Sequence, residues 1–326
     1  MTSISIIICT RNRADDLRNT LRSLADTYVP TGWNAECIIV DNRSTDGTQR
    51  VIEEADLRSF DVRIIEEKQP GKAHAANRAL AHARGDILLF TDDDVRVPRD
   101  WLVGMAQPIR AGDADAVAGG VAIASHLERS WQEADSRLTA LLADTSSLDD
   151  ESPQRLVGAN MAIARNVFDV VPGFDVKLGP GSRLGLGEET LLSKQIRQAG
   201  FLVKAAPNVV VEHHCSAERL SRASYLKAVE RVGRSEGYIA YHWKHVSVPF
   251  IRVMSGLAWK YLQLGVKRIL IQDDLQDEGL PVWELTLLMR IYHRRQLLAE
   301  RGSHREYDPS RWSGASSSYR KVNCHT

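Results

Sequence analysis

The sequence lacks any run of 18 uncharged apolar residues, so nothing in it reads as a membrane-spanning helix. It has little cysteine. Cys9, Cys37, Cys215 and Cys324 are the 4 in 326 residues, without the paired spacing of a thiolate zinc site or a disulfide framework. That scarcity fits a reducing cytoplasm. No secretory segment is visible, because the first apolar run, SIIIC, is too short and Arg11 follows at once. There is no G-x-x-x-x-G-K-[ST] and no G-x-G-x-x-G after the first apolar run, which excludes a P-loop and argues against a dinucleotide oxidoreductase. No internal repeat and no nucleic-acid-binding motif is present.

What is present is a balanced, unevenly spread charge. The chain is 43% hydrophobic, with 42 Lys and Arg against 42 Asp and Glu, as a globular protein requires. Residues 216–326 carry 18 bases and 11 acids, whereas 1–215 carry 24 and 31. The basic C-terminal part can face an anionic surface.

The N-terminal part alternates in period. SIIICT, ECIIVD (36–41), VRIIEE (62–67) and DILLF (86–90) read as strands. Helices are predicted over 14–26, from the 44–46 caps to about Glu54, over 72–83 as far as Gly85, and from Pro98 onward. Apolar strands separated by helices imply a mainly parallel, Rossmann-like α/β sheet covered on both faces. After about residue 215 the pattern is helical, over 218–243, 250–272 and 282–300, with a polar tail to 326. This divides the chain into an α/β unit, 1–215, and a helical basic extension, 216–326.

In such sheets ligands bind beyond the carboxyl ends of the strands. Thr10, Asp41 and the acids of FTDDDV, Asp92, Asp93 and Asp94, all fall there, just past the apolar residues. Clustered carboxylates at a strand end are hard ligands for Mg²⁺ or Mn²⁺ shared with phosphate oxygens; the alternative is a solvated turn. In extended chain Asp92 and Asp94 share a face and Asp93 points away. Gly71 and Lys72 form a glycine turn plus cation before a helix, a place for phosphate. Glu188 and Glu189 open another helix, where the dipole favours negative charge; either is a helix-start residue or a carboxylate base. The preceding LGPGSRLGLG should be mobile, as a lid is. His213 or His214, after NVVV, can add an imidazole to a metal.

Taken in order, SIIICTRNR, IIVDNRSTDGT, GKAHAANRAL, FTDDDV, GANMAIARNVFDVVPGFD, GLGEETLLSKQIRQAG and VVVEHHCSAERL resemble the family 2 glycosyltransferases of the GT-A fold, over roughly residues 3–240. The resemblance implies an inverting transferase that uses a nucleotide-diphosphate sugar, often UDP-linked, with Mg²⁺ or Mn²⁺. It implies that Thr10, Arg11, Asp41 and Lys72 meet the nucleotide, and that Asp92 and Asp94 are the outer acids of a D-x-D motif with Asp94 the metal ligand. Asp93 fills the middle position and takes that role if the register shifts. Gly158, Ala159 and Asn160 match the loop near donor sugar and acceptor. His213 matches a metal-meeting histidine, its spacing to Arg219 fitting better than that of His214. The family usually has Glu-Asp where this chain has Glu188-Glu189, so Glu189 takes the base position, with Glu188 as the substitute.

Two other readings stay open. A nucleotidyltransferase should carry a glycine-rich basic loop after the first strand, which CTRNRADDL lacks. A non-catalytic nucleotide-sugar-binding module is the other, left alive by the Glu189 departure. The acceptor is a glycan, polysaccharide or glycolipid hydroxyl. Residues 246–271 are apolar with interspersed bases, suited to a membrane surface, a core helix or a contact in a homo-oligomer. Localisation is read as cytoplasmic, at most peripheral to the inner membrane face.

Overall fold

A computed structural model of the chain describes residues 2–145, 155–271 and 277–308. The first half runs β1 (Thr2–Thr10), α1 (Ala14–Ala25), β2 (Trp33–Asp41), α2 (Thr48–Glu53), β3 (Asp61–Glu66), α3 (Lys72–Leu80), β4 (Ile87–Asp92), β5 (Val95–Arg96) and α4 (Trp101–Arg110). The second runs β6 (Ala116–Ile123), α5 (Ser136–Ala140), β7 (Asn160–Ala164), α6 (Glu188–Gln198), β8 (Val203–His213), α7 (Arg222–His242), α8 (Phe250–Leu270) and α9 (Val282–Glu300). Of the sequence elements, Cys324 and the tail from residue 309 lie outside the described residues.

The strands form one 8-stranded sheet in the order β3-β2-β1-β4-β7-β6-β8-β5. The first four in that order are parallel. β7 is then inserted antiparallel to both β4 and β6, and β5 pairs antiparallel to β8. Strand period 2 splits each buried run between two cores. Ile4, Ile6 and Ile8 face the core under α1, α2 and α4, with Ile39 and Leu89. Ile7 faces the other core, under α3 and α6, with Ile38, Val40, Leu88 and Phe90. Each such side chain contributes about 1.5–3 kcal/mol by leaving water, so both faces of the sheet are strongly held.

Three boundaries differ from the sequence reading, and two strands were not foreseen. β4 extends to Asp92, which pairs in register with Cys9, so this acid is inside the strand and only Asp93 and Asp94 lie beyond it. α3 stops at Leu80, before Gly85. α4 starts at Trp101; Pro98 precedes it and its carbonyl accepts from the Trp101 amide. β6 and β7 were not foreseen. β6 carries the pair Gly119-Gly120, and a Cβ on Gly119 would come within 2.1 Å of the Asn160 side chain, so glycine opens the space that Asn160 fills.

The helical C-terminal part packs onto the sheet unit. α7 and α9 lie together, with Tyr225, Val229, Leu285, Leu288 and Ile291 in a shared core. Residues 178–187, expected to be mobile, are seated on α7: Leu178 and Leu184 are fully buried with Tyr238 and Ile239, and the Ser235 hydroxyl donates to the Leu186 carbonyl. Among the described residues no helix is long and apolar enough to cross a membrane.

Candidate active site

The three consecutive acids diverge because the strand's alternation carries them apart. Asp92 follows Leu88 and Phe90 onto the α3 side, where Lys72 opens that helix, and the Lys72 Nζ donates to Asp92 Oδ1 at 2.5 Å. Asp93 turns to the α1 side and accepts from the Thr10 hydroxyl at 2.7 Å, while its carbonyl accepts from Thr20. Asp94 faces Arg13, whose Nη1 donates to it at 2.8 Å, and His213, whose Nε2 lies 3.2 Å from Oδ1. Each carboxylate thus has its own partner, and the repulsion between neighbours is offset locally.

These environments separate the acids chemically. Burial pushes Asp93 up, to about 7, helped by Asp94 and opposed by Arg13 and Thr10. Burial alone would also raise Asp94, but the His213 hydrogen bond and charge, with Arg13 and Arg219, hold it well below the usual carboxylate range. Burial opposes the charged form of Lys72 as well, yet Asp92, Glu189 and Glu188 outweigh it and hold its pKa well above the ordinary value.

Glu188 and Glu189 begin α6, whose start is fixed by Gly187 at φ 97°, a conformation glycine reaches without strain. Glu189 Oε1 stands 3.7 Å from Lys72 Nζ. Glu188 is buried, and its Oε2 has no hydrogen-bond partner among the described residues. Burial and the neighbouring Glu189 push its pKa well above the ordinary value, against the pull of Lys72. The two adjacent carboxyls therefore differ: burial disfavours the charged form of Glu188 in the wall, and Glu189 faces the lysine. Gly158 sits against both Lys72 and Glu189. A Cβ there would come within 2.4 Å of Glu189 Oε1 and 2.9 Å of Lys72 Nζ.

All of these groups line one cavity of about 710 Å³. Thr10, Arg11, Lys72, Asp92, Asp93, Asp94, Glu188, Glu189 and His213 share it, and α7 closes one side through Ser235 and Ile239. Gly158 lies on a small recess of the same region, beside Cys9 and Phe174. Burial pushes the Cys9 thiol up to about 12, so it remains a thiol.

Two predicted residues are not there. Asn160 is fully buried in the sheet. Its Oδ1 accepts from the Trp101 indole N–H, and its amide donates to the Gly120 and Val209 carbonyls, each at 2.8 Å. This side chain ties β7 to β6, β8 and α4 and does not reach the cavity; it is a structural residue. Asp41 ends β2 beside Thr10, but its carboxylate accepts from the Ser44 amide and is not among the cavity's lining groups. The adjacent Asn42 is. Its side chain grips the Glu67 and Gln69 carbonyls and the Gly71 amide, holding the turn that presents Lys72. His213 lies in the cavity wall, whereas His214 turns out to Glu212.

Sequence reasoning also missed Arg13. Asn12 takes a positive φ of 53°, which asparagine tolerates. Its side chain accepts from the Thr45 amide at 2.7 Å, and this turn folds Arg13 back over Asp94. An asparagine between two arginines after a strand was the available signal.

Among the described residues no three His, Cys, Asp or Glu side chains are gathered for a metal. Asp94 and His213 nevertheless form a fitting pair of donors. Leu142 accepts from His213 Nδ1 at 2.7 Å, leaving Nε2 for the shared site. Ligands adjacent on a small divalent cation are roughly 3 Å apart, and such a cation takes its remaining oxygens from phosphate and water.

Comparison with known proteins agrees with the architecture. A mannosyltransferase, PcManGT from Pyrobaculum calidifontis, solved with GDP-Man and Mn²⁺, superposes with a TM-score of 0.54 at 18% identity, over 98% of this chain and 79% of that one. GalNAc-T7, solved with UDP, GalNAc and Mn²⁺, gives 0.52 at 17% identity, over 77% and 53%. At such identities the likeness is one of fold, the GT-A fold. In sequence, the succinoglycan biosynthesis protein ExoM of Rhizobium meliloti (strain 1021) is 35% identical over 121 residues, 36% of this chain and 38% of that protein. Glycosyltransferase AglE of Haloferax volcanii is 29% identical over 119 residues, 36% and 39%. The chain thus matches under two-fifths of the length of these curated relatives. The family model for glycosyl transferase family 2 matches residues 5–171 of the 326, from the first buried strand through the acids and the β7 insertion, and the chain belongs to that family.

Proposed function

We propose that the protein is an inverting, divalent-metal-dependent glycosyltransferase that moves a sugar from a UDP-linked donor to a hydroxyl of a glycan, polysaccharide or glycolipid. One observation carries the reading: a carboxylate, Glu189, stands beside the lysine that meets the strand-end acid Asp92, in a single cavity wide enough for a nucleotide sugar. The PcManGT and GalNAc-T7 complexes hold nucleotides or nucleotide sugars with Mn²⁺, and the uridine series is the donor proposed here.

In this reading Glu189 takes the proton of the acceptor hydroxyl. The hydroxyl oxygen bonds to the anomeric carbon as the carbon–oxygen bond to the diphosphate breaks, with both electrons leaving on the diphosphate. Attack opposite the leaving group inverts the configuration. Lys72 offsets the charge gathering on the diphosphate, and Arg13 and Arg219 add positive charge to the same cavity. Asp94 and His213 would hold the divalent cation, which supplies further charge stabilisation when bound. Glu188 is buried in the wall, and Glu189 is the carboxylate that faces Lys72 at the base position. Thr10 and Arg11 lie where the first strand meets the nucleotide. Helix α8, within 246–271, is the part proposed to touch a membrane surface.

The test is nucleotide-diphosphate release from UDP-, GDP- and dTDP-sugars with Mn²⁺ and with chelator. Release from a UDP-sugar should require the metal and fall about 10²–10⁴-fold in Glu189→Gln, the usual contribution of base catalysis. Donor binding without release, unchanged by the substitution in the presence of acceptors, would instead establish a non-catalytic binding module.

A further inference from the structure

A second cavity, about 780 Å³, lies among α7, α8 and α9. Its charged lining is one-sided: Arg137, Arg252, Lys260, Arg290 and Arg294 against Glu236. Among the described residues Arg252, Arg290 and Arg294 have no carboxylate partner. Room for Arg294 is built in. A Cβ on Gly256 of α8 would come within 2.0 Å of its Nη1, so glycine lets the guanidinium lie against the helix. Unpaired guanidinium groups brought together in a partly closed cleft repel one another and are a ready site for a phosphate group. This cleft adjoins the candidate active site, with Arg137, Glu236 and Met289 in the walls of both.

The helix over this cleft is unusual on its outer side. Ile251, Met254, Ala258, Leu262, Val266 and Ile269 follow at three- and four-residue intervals, one stripe of a helix. All are exposed, Ile251 by 83% and Ile269 by 82%. The buried side of the helix is a separate stripe, through Leu257 and Leu264. Trp259 and Tyr261 flank the outer stripe, and the helix carries Arg252, Lys260, Lys267 and Arg268 but no acid. An outward apolar stripe with aromatic flanks and positive charge alone is complementary to an anionic lipid surface.

We infer that the cleft is the phosphate subsite for a lipid-borne acceptor. The acceptor would be a sugar or alcohol carried on a phosphate or diphosphate ester of a long hydrocarbon chain. Its anionic group would sit among Arg252, Arg290 and Arg294, with its hydroxyl directed past Arg137 toward Glu189. α8 would rest by its outer stripe on the anionic surface that holds the chain. This inference rests on the transferase reading and names its acceptor class.

The test is titration of the full chain, with UDP and Mn²⁺ saturating, by farnesyl diphosphate and by inorganic diphosphate. Farnesyl diphosphate should bind at least about tenfold more tightly than inorganic diphosphate. Arg290→Gln combined with Arg294→Gln should weaken it about tenfold or more, the effect of one lost charge-assisted hydrogen bond. UDP affinity should be unchanged in that variant, which shows that it is folded. The inference is overturned if the variant binds farnesyl diphosphate as wild type does, if saturating UDP abolishes the binding, or if inorganic diphosphate binds equally well and the cleft is a site for free anions. Flotation with phosphatidylglycerol vesicles supplies a second arm. Ile251→Glu with Ile269→Glu should lose it, and wild type failing to float would remove the lipid surface from the proposal. Wild type that binds no UDP sinks the transferase reading separately, since the arginine variant still reports on the cleft.

Discussion

The two cavities hold opposite arrangements of charge. At the sheet edge the central charges are matched: Lys72 with Asp92 and Glu189, Arg13 with Asp94, and Asp93 held by a hydroxyl. Between α7, α8 and α9, Arg252, Arg290 and Arg294 have no carboxylate partner among the described residues, and only Arg137, at the edge, is paired, with Asp135. The difference teaches how each region meets an anionic ligand. The matched site is set in position before ligand arrives, and a diphosphate has to exchange for carboxylates already there. The unmatched cleft has no such partners to displace, but its charges repel until a ligand fills it.

Disturbing the matched site should have the larger effect. Gly158→Ala puts a methyl group into the Lys72–Glu189 contact, at a distance atoms do not tolerate, so one of the two must shift. A displacement on the order of 1 Å at a base costs about 10²-fold, and steady-state transfer should fall by that amount with donor affinity changed much less. Unchanged transfer would mean that the lysine–glutamate contact is not the reacting arrangement.

Asp93→Asn removes a charge that the site holds only at a cost. The native value is about 7, raised from the ordinary carboxylate range. An unfolded chain gives up this proton near pH 4 and the folded chain near pH 7. Over that window the unfolded state binds fewer protons, so wild-type stability declines as pH rises. The asparagine variant escapes the decline. It should match wild type at pH 4 and exceed it by on the order of 2–4 kcal/mol at pH 8, read from denaturant midpoints. A constant difference across that range would show that Asp93 does not carry the proton.

The smallest effect, and the one that most sharpens the contrast, is that of salt. Between 0.05 and 0.5 M NaCl the affinity for farnesyl diphosphate should fall several-fold more than that for UDP. Solvent-facing charges are screened by ions, whereas buried, paired ones are much less so. Equal slopes in parallel titrations would place both ligands in the same environment.

The sequence made the parallel half of the sheet plain because β1, β2 and β4 are continuous apolar runs with turn signals between them. β6 and β7 were hidden. AVAGGVAI is weakened by its glycines and NMAIA is short, and both become strands only by pairing with each other and with β4 and β8. The site was legible where the strand-end rule applied, at Thr10, Asp92, Asp93 and Asp94. It misled at Asn160, since nothing local shows that Trp101, 59 residues away, is the partner of that side chain. Arg13 escaped because its direction comes from the backbone of Asn12. The three C-terminal helices were readable one by one, but the cleft between them is a product of their packing.

The strand order has a consequence for how the protein is made. Val95, next to Asp94, pairs with His213, and the cavity reaches on to Met289. A chain emerging from the ribosome can form β1, β2 and β4 early, yet Asp94 gains His213 and Arg219, and the cavity its far wall at Met289, only after the strands that follow β4 and the C-terminal helices have been made. Long-range pairing of this kind is slow to form. Activity should therefore appear late in translation and in one step, and any partial product ending before α9 should be silent, however well its first strands have folded.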